Sequence, residues 1–144
     1  MKVIFKNGTE LSCLRVEEAP VYYDNANRRA LTVEAARTAI SLDDLDALLA
    51  NSESTTSLRV TNEVQMPVCG EDGALLYAED GTPQMQTVEA EDRFEHYSLL
   101  MEMAAKPVAV GIDEFGGDIT ESRIVFKLGR LTPIEIKLAM LGLL

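Results

Sequence analysis

Few side chains in this chain could carry covalent chemistry. There are two cysteines, Cys13 and Cys69, and a single histidine, His96. A cysteine nucleophile needs a neighbour that lowers its pKa. With one histidine in the chain and no nucleophile signature around Cys13, this thiol reads as a small strand residue. The two cysteines lie 56 positions apart and read as reduced thiols rather than a disulfide framework. His96 sits between Glu95 and Tyr97 with no serine or cysteine signature beside it, so it reads as a structural or surface histidine. Carboxylates are plentiful but unorganised. Asp43 and Asp46 share one face of the first turns of an expected helix, where acids offset the helix dipole and face solvent, and Asp44 joins them as a cap. The acidic, glycine-rich run at 113–118 lacks the alternating acids and closing glutamate of a calcium loop and reads as a hairpin turn. Pairs such as Glu17/Glu18 and Glu89/Glu91 accompany no nucleophile, metal or phosphate motif. The expectation is a protein that is not an enzyme, with no catalytic residue, metal or cofactor.

The chain has 144 residues, the size of one ordinary domain, and the single domain is expected to span 1–144. It carries 24 acidic and 13 basic side chains, for a formal net charge of −11. Such a surface is repelled by a phosphate backbone, so nucleic acid is not expected as a partner. The hydrophobic fraction is 47%, too high for a disordered acidic tail. No charge-free apolar run reaches the roughly 18 residues of a membrane span, and residues 1–12 lack the apolar core of a secretory signal. No membrane contact and no export by a signal peptide are therefore expected, and a cytosolic location is. The charge is not evenly spread. Residues 63–95 hold nine acids against one base, Arg93. Within them Glu71-Asp72-Gly73 recurs eight positions later as Glu79-Asp80-Gly81. Asp-Gly supplies the positive φ of tight turns, so 63–95 reads as an acidic hairpin or a flexible insertion, with Glu71, Asp72, Glu79 and Asp80 as a charge-selective contact.

The flanking segments read as a β-rich domain. Residues 2–6 form a short strand, Asn7-Gly8 offers a two-residue turn, and 9–16 returns with Leu11, Cys13 and Arg15 on one face. A strand at 20–23 and a polar turn at Asp24-Asn25-Ala26-Asn27 follow. Residues 29–37 alternate Leu31, Val33 and Ala35 against polar or small partners. Ser41 with Asp44 three residues on marks a helix start, Leu42, Leu45, Leu48 and Leu49 form its apolar stripe, and Asn51 stops it. Strands are expected again at 57–62, at 96–110 with Pro107 marking an edge or end, and at 119–128. That last strand places Ile124, Phe126 and Leu128 on one side. The fold class is α+β, mainly β: an antiparallel sheet or a small barrel or sandwich, with one mid-chain helix and an apolar C-terminal helix.

The C-terminus combines an N-cap, Pro at the first helical position and Glu at the third: Thr132-Pro133-Ile134-Glu135. The helix is expected to run through 136–144 with Lys137 as its only further charge. A helix apolar on nearly every face cannot stand alone in water. It either docks in a groove of its own domain or forms a subunit contact through Ile134, Ile136, Leu138, Met140, Leu141 and Leu144.

The opening MKVIFKNGTEL, the strand ANRRALTVEA, the unit TAISLDDLDALLANSESTTSLRVTN and the terminal RIVFKLGRLTPIEIKLAMLGLL resemble small structural-module proteins from the tail and baseplate region of temperate phages and prophages of gut Firmicutes. The resemblance covers the first 62 and the last 30 residues and leaves out the acidic middle. It implies a non-enzymatic virion assembly protein, associated with tail or baseplate, that acts through protein partners including self-association by the C-terminal helix. It carries over no catalytic residue and implies a place in the bacterial cytoplasm during assembly and then in the virion. The strand–helix–strand unit is also similar to β-barrel modules of tail tubes and hubs. The alternative is an acidic inhibitor or decoy that occupies a basic site on a partner.

Overall fold

Two kinds of segment build the fold: strands that alternate apolar and polar residues around a core, and strands that do not alternate because neither face is covered. The computed structural model describes residues 1–143. In chain order the elements are β1 Lys2–Ile4, β2 Glu10–Ser12, β3 Arg15–Tyr23, β4 Ala26–Ala36, α1 Leu42–Ala50, a 3-10 turn Ser52–Thr55, β5 Ser57–Pro67, β6 Met85–Glu95, β7 Leu99–Ile112, β8 Asp118–Gly129 and α2 Pro133–Met140. The chain is α+β and mainly β. The strands form two four-stranded antiparallel sheets, ordered β2-β1-β5-β6 and β3-β4-β8-β7.

The sheets are stitched at two corners where the chain leaves one and enters the other. At the first, the Cys13 amide donates to Met1 and the next amide, Leu14, donates to Glu34 in the second sheet. The expected continuous strand over 9–16 is therefore broken at Cys13–Leu14. The sheet switch interrupts the pleat, so Leu11 and Cys13 point into the core while Arg15 is exposed. At the second corner His96 takes φ +63, its amide donates to Thr56, and its carbonyl accepts from Leu131. The strand expected from 96 thus begins only at Leu99. Pro107 lies within β7, an edge strand, where its missing N–H costs no ladder bond.

Inside the two sheets lie Val3, Phe5, Leu11, Leu31, Val33, Ala35, Leu58, Ile124, Phe126 and Leu128. These include the inward residues that the alternation of β4 and β8 predicts. Each fully buried large side chain contributes about 1.5–3 kcal/mol. Helix α1 adds Leu45 and Leu49 to the same core, with Leu42 and Leu48 packed at its margin. Its start follows the expected chemistry: Ser41 Oγ accepts from the Asp44 amide at 3.1 Å. Asn51 ends the helix and caps the 3-10 turn, its side chain accepting from the Glu53 amide at 3.2 Å. Asp43, Asp44 and Asp46 face solvent.

Two expected turns are resized. The Phe5 amide donates to Thr9 and the Gly8 amide to Phe5, so the first loop has three residues with Gly8 at φ +90 rather than two. At 24–27 only Asp24 and Asn25 form the turn, both at positive φ, and Ala26 already belongs to β4.

Two hairpins outgrow the body. β5 and β6 pair from Ser57↔Glu95 to Pro67↔Met85, but β1 flanks β5 only over Arg59–Thr61. β7 and β8 likewise continue past Ala36↔Arg123, where β4 ends, to a turn at 113–117. The distal halves are two-stranded ribbons exposed on both faces. This is why the 84–95 stretch, although a regular strand, shows no apolar period. The accessible surface is 9283 Å². A globular monomer of 15.8 kDa would expose about 7300 Å².

Candidate interaction surfaces

The first surface is α2. Thr132 and Glu135 form a reciprocal capping box, with Pro133 at the helix start. Glu135 Oε1 accepts from the Thr132 amide at 2.8 Å and, at the same distance, from Arg28 Nη1. Arg28 is the anchor. Its side chain is 1% exposed, its Nε donates to Tyr23 and its Nη1 also to Arg130, both backbone carbonyls. The guanidinium beside Glu135, helped by the Thr132 amide, holds that carboxyl below its usual range.

Beyond this anchored first turn none of the helix's residues is fully buried. Ile134 is 71% exposed and Met140 76%, Leu141 is equally open, and Ile136 and Leu138 are half-buried. The helix also ends earlier than expected. The Gly142 amide donates to Ala139 and the Leu143 amide to Leu138, with Gly142 at φ +72. This is a Schellman stop, and it closes the helix at Met140. Of the six proposed contact residues, Leu144 lies outside the described residues.

The second surface is the end of the β5–β6 ribbon. Val68 donates to Gln84, Leu76 to Val68 and Gln84 to Leu76, so three amides eight residues apart close a ring of hydrogen bonds. Two small hairpins spring from that ring. Gly70 donates to Ala74 and Gly73 to Gly70; Ala78 donates to Thr82 and Gly81 to Ala78. The eight-residue sequence repeat is thus a structural repeat, with Gly73 and Gly81 at φ +80 and +84. Asp72 and Asp80 serve the turns themselves, each accepting from the amide two residues on, at 3.0 Å. The Thr82 hydroxyl and amide hold the Asp80 carboxyl below its ordinary range. Glu71 and Glu79 are exposed beside them. Leu75, Leu76 and Tyr77, between the turns, are exposed as well.

A third cluster, not anticipated from sequence, ties the second sheet to the corner between β6 and β7. The Tyr97 hydroxyl donates to Glu18 Oε2, while Arg29 donates from Nε and Nη2 to Glu18 Oε1 at 2.9 and 2.7 Å. Burial raises the Glu18 carboxyl, but these hydrogen bonds outweigh it and hold it below its usual range. Burial and the neighbouring carboxylate push the Tyr97 phenol up. Neither group is poised to exchange a proton near neutrality. Cys13 is buried, which raises its thiol. His96 serves the corner through its backbone. Nothing in the local sequence marks the Arg28–Glu135 or Tyr97–Glu18 pairs, because their members lie 107 and 79 residues apart.

No helix among the described residues is long and apolar enough to cross a membrane. Searches against protein-family models, curated proteins and solved structures return no match.

Proposed function

We propose that this chain is a non-enzymatic virion assembly protein of a phage or prophage, associated with tail or baseplate, which acts through protein–protein contacts. The observation that carries the association is α2: a helix capped at both ends and pinned by Glu135 to the buried Arg28, yet without one fully buried side chain of its own. A surface of this kind is stable in water only when something covers it. The ribbons support the same reading, since a two-stranded hairpin exposed on both faces is at best marginally stable alone. The phage setting rests on the sequence resemblance. The arm would select partners by charge, which sets partner choice and association rate more than affinity.

One observation favours the second reading, an acidic decoy for a basic site. Glu63 stands directly opposite Glu89 in the ribbon, a like-charge pair that is unfavourable until a cation faces it. Light scattering on the full chain, on a chain ending at Leu131, and on Ile134→Asp/Leu141→Asp tests the main reading. Association of the full chain, lost in both variants, is expected. Well-behaved monomers of equal stability in all three would overturn it.

A further inference from the structure

The two sheets have four edge strands: β2 and β6 in the first, β3 and β7 in the second. Three of them are blunted against further pairing. β2 has only three residues, Pro20 breaks the row of donors on β3, and β7 carries Pro107 and two bulges. β6 has no such protection. It runs eleven residues, Met85–Glu95, without proline, glycine or a shift of register against β5.

Register fixes which backbone groups β6 leaves open. The His96 amide donates to Thr56 at one end of the ladder and the Val68 amide to Gln84 at the other. Opposed residues of an antiparallel ladder alternate between bonded and non-bonded pairs. Gln86, Val88, Ala90, Asp92 and Phe94 therefore turn their amides and carbonyls to β5, while Thr87, Glu89, Glu91 and Arg93 turn theirs to the free edge. None of these outward groups has a partner among the described residues. Such a row is a template for one more strand, in which backbone bonds give affinity and alternate side chains give specificity.

The side chains along the edge define that strand. β6 carries four acids, Glu89, Glu91, Asp92 and Glu95, against Arg93. Glu91 is met by Arg93 at 3.1 Å and by Arg59 at 4.0 Å. Asp92 and Glu95 share an open depression with Arg29 and Arg130. Glu89 faces Glu63 across the ladder, and neither makes an ion pair among the described residues. Lys2 lines the same depression as these two but donates to Glu10 at 3.4 Å. On the other face of β6 the stretch is apolar: Val88 lies opposite Val64, and Ala90 follows it. A second copy's β6 would add four more acids to the seam, which disfavours it as the occupant. The arginine-bearing strands of this chain, β4 and β8, are the inner strands of the second sheet and are already paired on both sides.

We infer that the free edge of β6 takes an extended basic segment of a partner protein as an added strand. Lysine or arginine on one face of that segment would meet Glu89 and Glu63, and apolar side chains on the other would lie beside Val88 and Ala90. The added strand uses the edge and leaves α2 and the ribbon's faces free for other contacts. It rests on the reading of 63–95 as a charge-selective protein contact and gives the partner its chemistry.

Site-resolved amide exchange of the full chain at low salt, with the acetylated peptide Lys-Val-Lys-Val-Lys-Val-Lys as probe, tests the inference. The amides of Thr87, Glu89, Glu91 and Arg93 are expected to slow about 100-fold when free peptide stands at 100 times its dissociation constant. The same peptide N-methylated at its lysine amides keeps the charge but loses the donors, and is expected to leave these amides unchanged. Thr87→Pro removes an outward donor and no charge, and Glu89→Lys reverses the unanswered charge; circular dichroism confirms their fold. Each is expected to weaken peptide binding about 10-fold or more, the equivalent of one charge-assisted contact. Equal slowing by the N-methylated peptide, or no slowing by the first peptide at millimolar concentration, overturns the inference. If Ile134→Asp/Leu141→Asp still abolishes association of the chain in that case, the assembly reading stands without it.

Discussion

The two helices of this protein start alike and end up in opposite situations. Ser41 caps α1 and Thr132 caps α2, each side chain accepting from the amide three residues on. Yet α1 sends Leu45 and Leu49 into the core, while α2, of nearly the same length, leaves no side chain fully buried. Capping decides where a helix begins. Where it goes depends on whether one face is apolar and the other polar. α1 has Asp43, Asp44 and Asp46 to face water; past Glu135, α2 has only Lys137. The same contrast separates the proximal strands, which alternate around the core, from the distal ribbons, which do not.

The contrast can be broken or sharpened experimentally. The largest effect is expected from Leu45→Ala, which empties a fully buried site and costs about 2–5 kcal/mol in urea unfolding. Met140→Ala, on the exposed helix, is expected to stay within about 0.5 kcal/mol in the dilute protein. An equal loss at both sites would erase the distinction. Next comes Glu135→Ala, which leaves the buried Arg28 guanidinium without its carboxylate. Broken buried pairs cost about 3–5 kcal/mol, and the lower end applies because Glu135 is partly exposed.

The same pair sets a pH dependence. Glu135 has its pKa lowered on folding, so its contribution is present above the ordinary value of 4.5 and fades as pH falls through the folded value. Acid titration of stability is expected to lose this component in Glu135→Gln. An unchanged acid limb in that variant would show that the pair contributes no linkage. The smallest effect is expected at the caps. Ser41→Ala and Thr132→Ala should each cost about 1 kcal/mol, globally for α1 but only as fraying of α2, read by amide exchange.

What was legible from sequence divides along the same line. Both helix starts could be read because a cap is a local matter of three or four residues. The core faces of β4 and β8 could be read because one side of each is buried, so Leu31/Val33/Ala35 and Ile124/Phe126/Leu128 alternate with other residues. The extent of β6 could not, since a strand wet on both faces has no period. The sheet switch at Cys13–Leu14 and the αL corner at His96 were hidden because no glycine marks them. The Gly142 stop was present in the sequence, but the apolar run around it reads as helix continuing. The Arg28–Glu135 anchor depends on partners 107 residues apart, which no short window contains.

The proposal made above is that α2 and the ribbons are surfaces kept for a partner while the two-sheet body stands alone. Hydrogen–deuterium exchange of the full chain, dilute and then concentrated, tests it most directly. In dilute solution the amides of 124–128 should be strongly protected, and those of 62–67, 85–90 and α2 should exchange fast. On concentration, α2 and the ribbons should gain protection while the body stays as it was. Ribbons and helix as protected as the body at every concentration would contradict the account.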